Sequence, residues 1–349
     1  MRNFYIIISL ILLLPACKKE HLSGDASMLS FSVADLNRTD LTLDRVFIDK
    51  SSRNISLLFA SSLPADSFPL SFTASFSLTA GATSIPSSGE TVTINNLDDW
   101  VEYTLTAEDG SKVDYFIVVR DNQIPNSGFG DWYTATGMDG GSYKEPGLGA
   151  ETTVWATANN GTSIYGVHCT QPVTIGNNTV AQITTGETSL IPITAGTLFT
   201  GKFDVNGAIN NPTDPQKATL FGIPFTLRPN ALKFKYTYQP GSRYIQATLN
   251  NPTNIFGGFT VADIAGEDMF TAFVILEVRD ETMVTEVGSA DFTSGELQEE
   301  FAELVIPITY TSSEKPTHIS VVFSSSKDGD LFTGAVGSTL AIDDLELVY

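Results

Sequence analysis

"WVEYTLTAEDGSKVDYFIVV", Trp100 to Val119, decides the fold class. Val101, Tyr103, Leu105 and Ala107 fall on one side of a period-two pattern, and Tyr115, Ile117 and Val119 do the same further on. Between them "AEDGSKV" carries Asp109-Gly110 at its tip, so the stretch predicts a β-hairpin. Upstream, "FTASFSL" alternates Phe72, Ala74, Phe76 and Leu78 with Thr73, Ser75 and Ser77. Short alternating runs broken by Ser, Gly and Pro turns predict a small β-sandwich over residues 29–121.

Downstream, "RDNQIPNSG", Arg120 to Gly128, interrupts the alternation and reads as an interdomain joint. Beyond it, "LKFKYTY" puts Leu232, Phe234, Tyr236 and Tyr238 on one face, with Lys233, Lys235 and Thr237 on the other. "THISVVFSS" alternates Ile319, Val321 and Phe323 with His318, Ser320 and Val322. "FTAFVILEV", Phe270 to Val278, is continuously apolar, as a strand covered on both faces would be. No pattern supports a helix of three turns. The reading is all-β, with a second and larger sandwich of the jelly-roll kind over residues 126–349. "NSGFGDWY", Asn126 to Tyr133, is its expected first strand, lying beside the closing "LAIDDLELVY" because the ends of a domain often sit close together. Period two would then send Phe129 into the core, Trp132 to the opposite side, and Asp131 toward Asp343.

The chain has 349 residues, 42% hydrophobic and 10% aromatic, enough for two cores. With 19 Lys plus Arg against 40 Asp plus Glu, the formal net charge is −21, which excludes nucleic acid as a partner but not neutral sugars. The three histidines, His21, His168 and His318, are scattered, and Cys17 and Cys169 are the two cysteines, so a Cys/His zinc site has no material. Cys169 reads as a small buried hydrophobe. Phosphate-loop and Gly-x-Ser-x-Gly motifs are absent, and "GFG" at Gly128–Gly130 is followed by no helical pattern.

The N-terminus, "MRNFYIIISLILLLPACKKE", has a basic residue, a short apolar run and then "LPAC". This resembles a bacterial lipoprotein signal, with residues 1–16 removed and Cys17 lipidated. Residues 17–28 would be a polar tether. Acyl chains contribute about 0.8 kcal/mol per buried methylene, so more than one chain anchors stably without a spanning helix. The hairpin at residues 100–119 resembles the last hairpin of Ig-like domains in Bacteroidetes surface lipoproteins; a spacer is the expected role, with a partner-binding surface as the alternative.

"NSGFGDWY", "VWATANNG" (Val154–Gly161), "AGTLFTGKF" (Ala195–Phe203), "GIPFTLRPNALKFKYTY" (Gly222–Tyr238) and "GDLFTGAVGSTLAIDDLELVY" (Gly329–Tyr349) occur in order. Together they resemble PCMD, the carbohydrate metabolism domain of Bacteroidetes lipoproteins. The resemblance implies a jelly roll similar to carbohydrate-binding modules. It also implies a structural calcium ion, held by a Glu of the opening strand and an Asp of the last strand. Gly130 stands where that Glu would be, Asp131 is the available substitute, and Asp343 matches the last-strand Asp.

Asp343 also raises a question of its own. On a regular strand it shares a face with Ala341, Leu345, Leu347 and Tyr349, and a buried carboxylate there needs a cation or strong donors. Calcium, Arg228, and a bulge exposing Asp343 and Asp344 are the three answers. Sugar recognition calls for aromatic faces beside amides. Trp132, Tyr133, Tyr143, Trp155, Asn159 and Tyr165 supply them, with core filling as the alternative for the tryptophans. Catalysis would need two carboxylates about 5–10 Å apart, with Glu145, Glu151 and Asp131 as the candidates. The sequence thus reads as a lipid-anchored protein of the outer membrane or cell surface, binding glycan in support of carbohydrate use. A glycoside hydrolase and a structural or adhesive surface protein are the alternatives.

Overall fold

The computed structural model describes residues 22–349 except 51, 212 and 281. The signal segment 1–16 and Cys17 lie outside the described residues. The chain folds into two β-sandwiches, each with its own hydrophobic core.

The first sandwich contains β1 (Met28–Ala34), β2 (Leu43–Asp49), β3 (Asn54–Phe59), β4 (Leu70–Leu78), β5 (Thr83–Ile85), β6 (Thr91–Ile94), β7 (Trp100–Thr106) and β8 (Lys112–Arg120). One sheet has the order β1-β4-β6 and the other β2-β3-β8-β7-β5, with β3 and β8 parallel. Phe72, Tyr103, Leu105, Tyr115, Ile117 and Val119 all point into the core, as the alternation requires. The β7–β8 turn closes as expected. Gly110 adopts φ 87°, and the Asp109 carboxylate accepts from both the amide and the hydroxyl of Ser111. The folded part begins earlier than residue 29, because Ala26 and Met28 are already buried and Ser27 exchanges hydrogen bonds with Thr79. The polar tether is shortened accordingly.

The second sandwich contains β9 (Trp132–Thr136), β10 (Ser142–Pro146), β11 (Trp155–Thr157), β12 (Thr170–Ile175), β13 (Asn178–Thr184), β14 (Thr197–Phe203), β15 (Thr219–Phe221), β16 (Ile223–Pro224) and β17 (Ala231–Gln239). It continues with β18 (Ile245–Leu249), β19 (Phe259–Asp263), β20 (Phe270–Arg279), β21 (Val284–Ser294), β22 (Gln298–Pro307), β23 (Thr309–Tyr310), β24 (His318–Ser324), β25 (Thr333–Gly334) and β26 (Thr339–Val348). One main sheet runs β11-β14-β24-β20-β21-β23, and the other β12-β13-β26-β17-β22. The core between them holds Phe234, Tyr238, Phe270, Val274, Val321 and Phe323. β20 is covered on both sides, as its apolar run predicts. Phe270, Ala272, Val274 and Leu276 face the core, while Phe273 packs on Phe199 and Val322 of the outer face. Only two short α-helices occur among the described residues, α1 (Asn159–Ser163) and α2 (Val205–Asn210).

Two expectations for the ends of this sandwich need correction. "NSGFGDWY" is not a continuous strand. Asn126 and Phe129 adopt φ 53° and 49°, which folds the chain back before β9 starts at Trp132, and β9 pairs only with β10. The stretch does meet the closing strand, but only through Ser127, together with the joint just before it. The Ser127 carbonyl accepts from Leu345 N at 3.0 Å, and Gln123 bonds both the amide and the carbonyl of Leu347. Phe129 does enter the core, packing edge-on against Trp155, but strand parity does not place it there.

The second correction concerns Asp343. Leu340 and Ile342 point into the core, and so do Leu345 and Leu347, which changes the parity midway. Asp344, at φ 47°, supplies the extra residue, and the β17–β26 register slips there. Asp343 is therefore not on the Leu345–Leu347 face, although it is buried. Asp344 is turned out to pair with Lys235 at 2.8 Å.

Candidate functional site

The residues read as a sugar platform gather at one end of the second sandwich, but most face inward. Trp155 is 1% exposed, and its indole donates to Pro125 O at 2.8 Å. Asn159 is equally buried. Its amide nitrogen donates to Lys144 O and Thr170 O, and its oxygen accepts from Thr170 N, so no polar atom is left for a ligand. Tyr143 is buried and stacks on His168. Trp132 and Tyr133 on β9 and Tyr165 after α1 are half-buried. Trp132 packs against the core and donates to Phe129 O at 2.7 Å. Trp155, Asn159 and Tyr143 are thus structural, because an all-β end cap needs large groups and amide clips where strands stop.

Among the three carboxylates considered for catalysis, Glu145 stands apart. It sits on β10 opposite Tyr133 and is buried. Oε1 accepts from Thr157 Oγ1 at 2.6 Å, while Oε2 has no hydrogen-bond partner. Burial pushes this carboxyl up to about 8, so it carries a proton at neutral pH. Asp131 and Glu151 are exposed.

Asp131 and Asp343 have separate surroundings. Asp131 is tied by its backbone to the Asn126 side chain. Asp343 accepts from Asn178 Nδ2 at 2.5 Å and from Asp344 N at 2.8 Å, and these N–H donors answer its burial. A calcium ion takes about 6–8 oxygen ligands. Among the described residues no group of three or more His, Cys, Asp or Glu side chains converges to hold a metal, so a calcium ion there would have to draw mainly on carbonyl and amide oxygens. Arg228 is not the partner of Asp343 either. It lies 3.9 Å over the Tyr310 ring and donates to the carbonyls of Ser312 and Glu314.

A concavity of ligand size lies elsewhere, between the two sandwiches. It has a volume of about 520 Å³. One wall is β2, the edge strand of the first sandwich, with β3 and the end of β8 beside it. The other is formed by β14, β15, residues 222–225, Arg279 and His318. Phe47 meets the His318 ring edge-on at 5.3 Å. Burial, together with the nearby Arg279 and Arg45, holds the imidazole down to about 4, so it is neutral. Lys202 lies 3.7 Å from Asp49 across the cleft. Around it, Asn54 Nδ2 donates to Glu151 O at 2.9 Å, Arg120 to Thr152 O at 3.0 Å, and Lys315 pairs with Asp44. These contacts hold the two walls in register.

Reading the sequence misses this cleft because its residues come from two domains and lie far apart along the chain. One signal is present: "DRVFIDKSSR", Asp44 to Arg53, concentrates Arg45, Lys50 and Arg53 in a chain otherwise poor in cations.

Two antiparallel-rich sandwiches with a ligand-sized cleft between them define a two-domain all-β protein. The chain belongs to the family described as "Putative carbohydrate metabolism domain" (PCMD), whose model matches residues 129–348, as the sequence resemblance implies. It is similar to the crystal structure of a "putative glycoside hydrolase" from Bacteroides thetaiotaomicron VPI-5482. The identity is 26% over 95% of this chain and 99% of that one, with a TM-score of 0.56. A second such structure, from Bacteroides vulgatus ATCC 8482, shares the fold at 24% identity, covering 63% of this chain and 96% of that one with a TM-score of 0.52. No curated protein matches the chain.

Proposed function

We propose that this protein binds glycans in the cleft between its two sandwiches, and that it does so as a lipid-anchored component of the cell envelope. The observation that carries the binding site is the cleft itself. Its volume of about 520 Å³ falls in the range of small-ligand sites, about 300–1,000 Å³, and it lies at a domain junction. Phe47 and Phe221 offer apolar surface for a sugar ring. Asn54, Lys202 and His318 offer polar groups for hydroxyls. Membership in a carbohydrate metabolism family supports a sugar as the occupant. The anchor rests on "LPAC" after the apolar run. Calorimetric titration of the 22–349 fragment with a glycan panel tests the binding. At least one oligosaccharide is expected to bind, and Phe47→Ala to weaken it about tenfold, a loss of about 1.4 kcal/mol. Binding that is unchanged in Phe47→Ala would move the site away from the cleft.

A second reading, glycoside hydrolysis, has one observation in its favour. Glu145 is a buried carboxyl that keeps its proton at neutral pH, the state required of a general acid. Glu145→Gln would then abolish hydrolysis of an aryl glycoside that the native protein cleaves.

A further inference from the structure

We propose that the interdomain cleft selects acidic glycans, with Arg120 and Lys202 receiving the carboxylate of a uronic acid residue. This rests on the reading of the cleft as the glycan site and adds the charge class of the sugar.

The argument starts from the distribution of charge. The chain carries 19 Lys plus Arg and a formal net charge of −21, so cations are scarce. The cleft nevertheless gathers Lys50, Arg120, Lys202 and Arg279, against the carboxylates of Asp49 and Asp121. Local excess of the sign opposite to the whole molecule is not what a random stretch of this surface would supply.

The two carboxylates leave hydrogen-bonding capacity on these cations unused. Asp121 spends its oxygens on backbone amides, with Oδ2 accepting from Leu63 N at 3.3 Å and Oδ1 from Gln123 N at 2.9 Å. Asp49 stands 3.7 Å from Lys202, beyond good hydrogen-bonding distance, and also accepts from Ser52. Among the cations, Arg279 is occupied by Glu277, which accepts from Nε and Nη2 at 2.8 and 2.5 Å.

Arg120 is different. Its guanidinium donates to Val119 O at 3.1 Å and Thr152 O at 3.0 Å, and it forms no ion pair among the described residues. A guanidinium has five N–H donors in a planar fork matched to a carboxylate, and two carbonyls use only part of that capacity. The group is enclosed, and burial pushes it down to about 10. Asp98 and Asp121 act on it only through space, so a carboxylate reaching its unused N–H groups would add a direct, charge-assisted partner. The neutral His318 completes the recognition. An imidazole without charge can meet a sugar hydroxyl, and its Nδ1 is already engaged with Thr317 Oγ1 at 2.9 Å.

A matched-pair titration tests this. Oligosaccharides of galacturonate, glucuronate and mannuronate are titrated into the 22–349 fragment beside their neutral methyl esters. Variants are Arg120→Lys, which keeps the charge and loses the fork, and Lys202→Gln on the exposed rim. At least one free acid is expected to bind about tenfold or more tightly than its ester, since a hydrogen bond to a charged group is worth about 1.5–3 kcal/mol. Each variant should remove most of that preference, with the acid's affinity falling far more than the ester's. Thermal melting of the variants checks that they are folded, and Lys202→Gln carries the test if Arg120→Lys is not. Esters binding as well as acids would overturn the charge inference and leave the glycan reading standing. A glycan panel in which neither acids nor neutral sugars bind would overturn both. Inorganic sulfate displacing the acids at equal concentration would overturn the sugar specificity and leave only an anion site.

Discussion

Replacing Glu145 by Gln is the sharpest check on the end of the second sandwich. The carboxyl rises from an ordinary value of 4.5 to about 8, chiefly because burial penalises the charged form. The sign follows from proton linkage. Below pH 4.5 the group is protonated in both the folded and the unfolded chain and costs nothing. Between that value and about 8 the unfolded chain loses the proton and the folded chain keeps it, so stability falls as pH rises; above about 8 the cost is constant. At about 1.36 kcal/mol per pH unit, this one residue costs about 1 kcal/mol at pH 5 and about 3 at pH 7. Glutamine has nearly the same shape, keeps an oxygen for Thr157 Oγ1, and does not titrate. The difference in unfolding free energy between Glu145→Gln and the native protein should therefore grow by about 2 kcal/mol from pH 5 to pH 7. Urea unfolding of both proteins at several pH values in that window measures it, and any fixed amide-for-acid effect cancels in the slope. Parallel stability curves for the two proteins would refute the claim that Glu145 is neutral when folded.

Other outcomes follow from the placement of side chains. Trp155→Ala should lose about 3–5 kcal/mol of stability, seen by chemical denaturation, because the ring is enclosed against Phe129; no direct part in binding is expected. Excess calcium and excess chelator should give the same melting temperature, since Asp343 is already met by Asn178 and Asp344 N. Cys17→Ser should release the protein from the membrane fraction or leave its signal segment uncleaved, as fractionation and mass measurement would show.

The sequence is legible wherever alternation is unbroken. β7, β8, β17, β20 and β24 bury the residues that period two assigns, because a sandwich strand has one dry face and nothing local contradicts it. It misleads where a single residue enters the left-handed region. Phe129 carries none of the usual signal for φ near 50°, and Asp344 carries only a weak one. One extra residue at Asp344 moves every later side chain to the other face. The site suffers from a different gap. Aromatic and amide residues are what a sugar platform needs, but they are also what an end cap needs, and only burial separates the two. Glu145 is nameable as a carboxylate; its protonation depends on burial, which the rest of the fold supplies and the residues around it do not show.

The joint between the sandwiches shows why the cleft is a fixed feature and not a gap between loosely tethered parts. A linker rich in Asn, Gln and Pro reads as flexible, yet here Gln123 makes two bonds to Leu347, Tyr349 Oη donates to Asn122 O at 2.7 Å, and Asp121 accepts from Leu63 N. The last strand of the second sandwich thus holds the linker, and the linker holds the first sandwich. Asp44 with Lys315 and Asn54 with Glu151 O tie the walls further out. Each surface contact of this kind contributes little alone. Distributed around the cleft, they fix the spacing of its two walls. A ligand bridging the two walls would meet a site already assembled, and would not have to supply the energy of bringing two domains together.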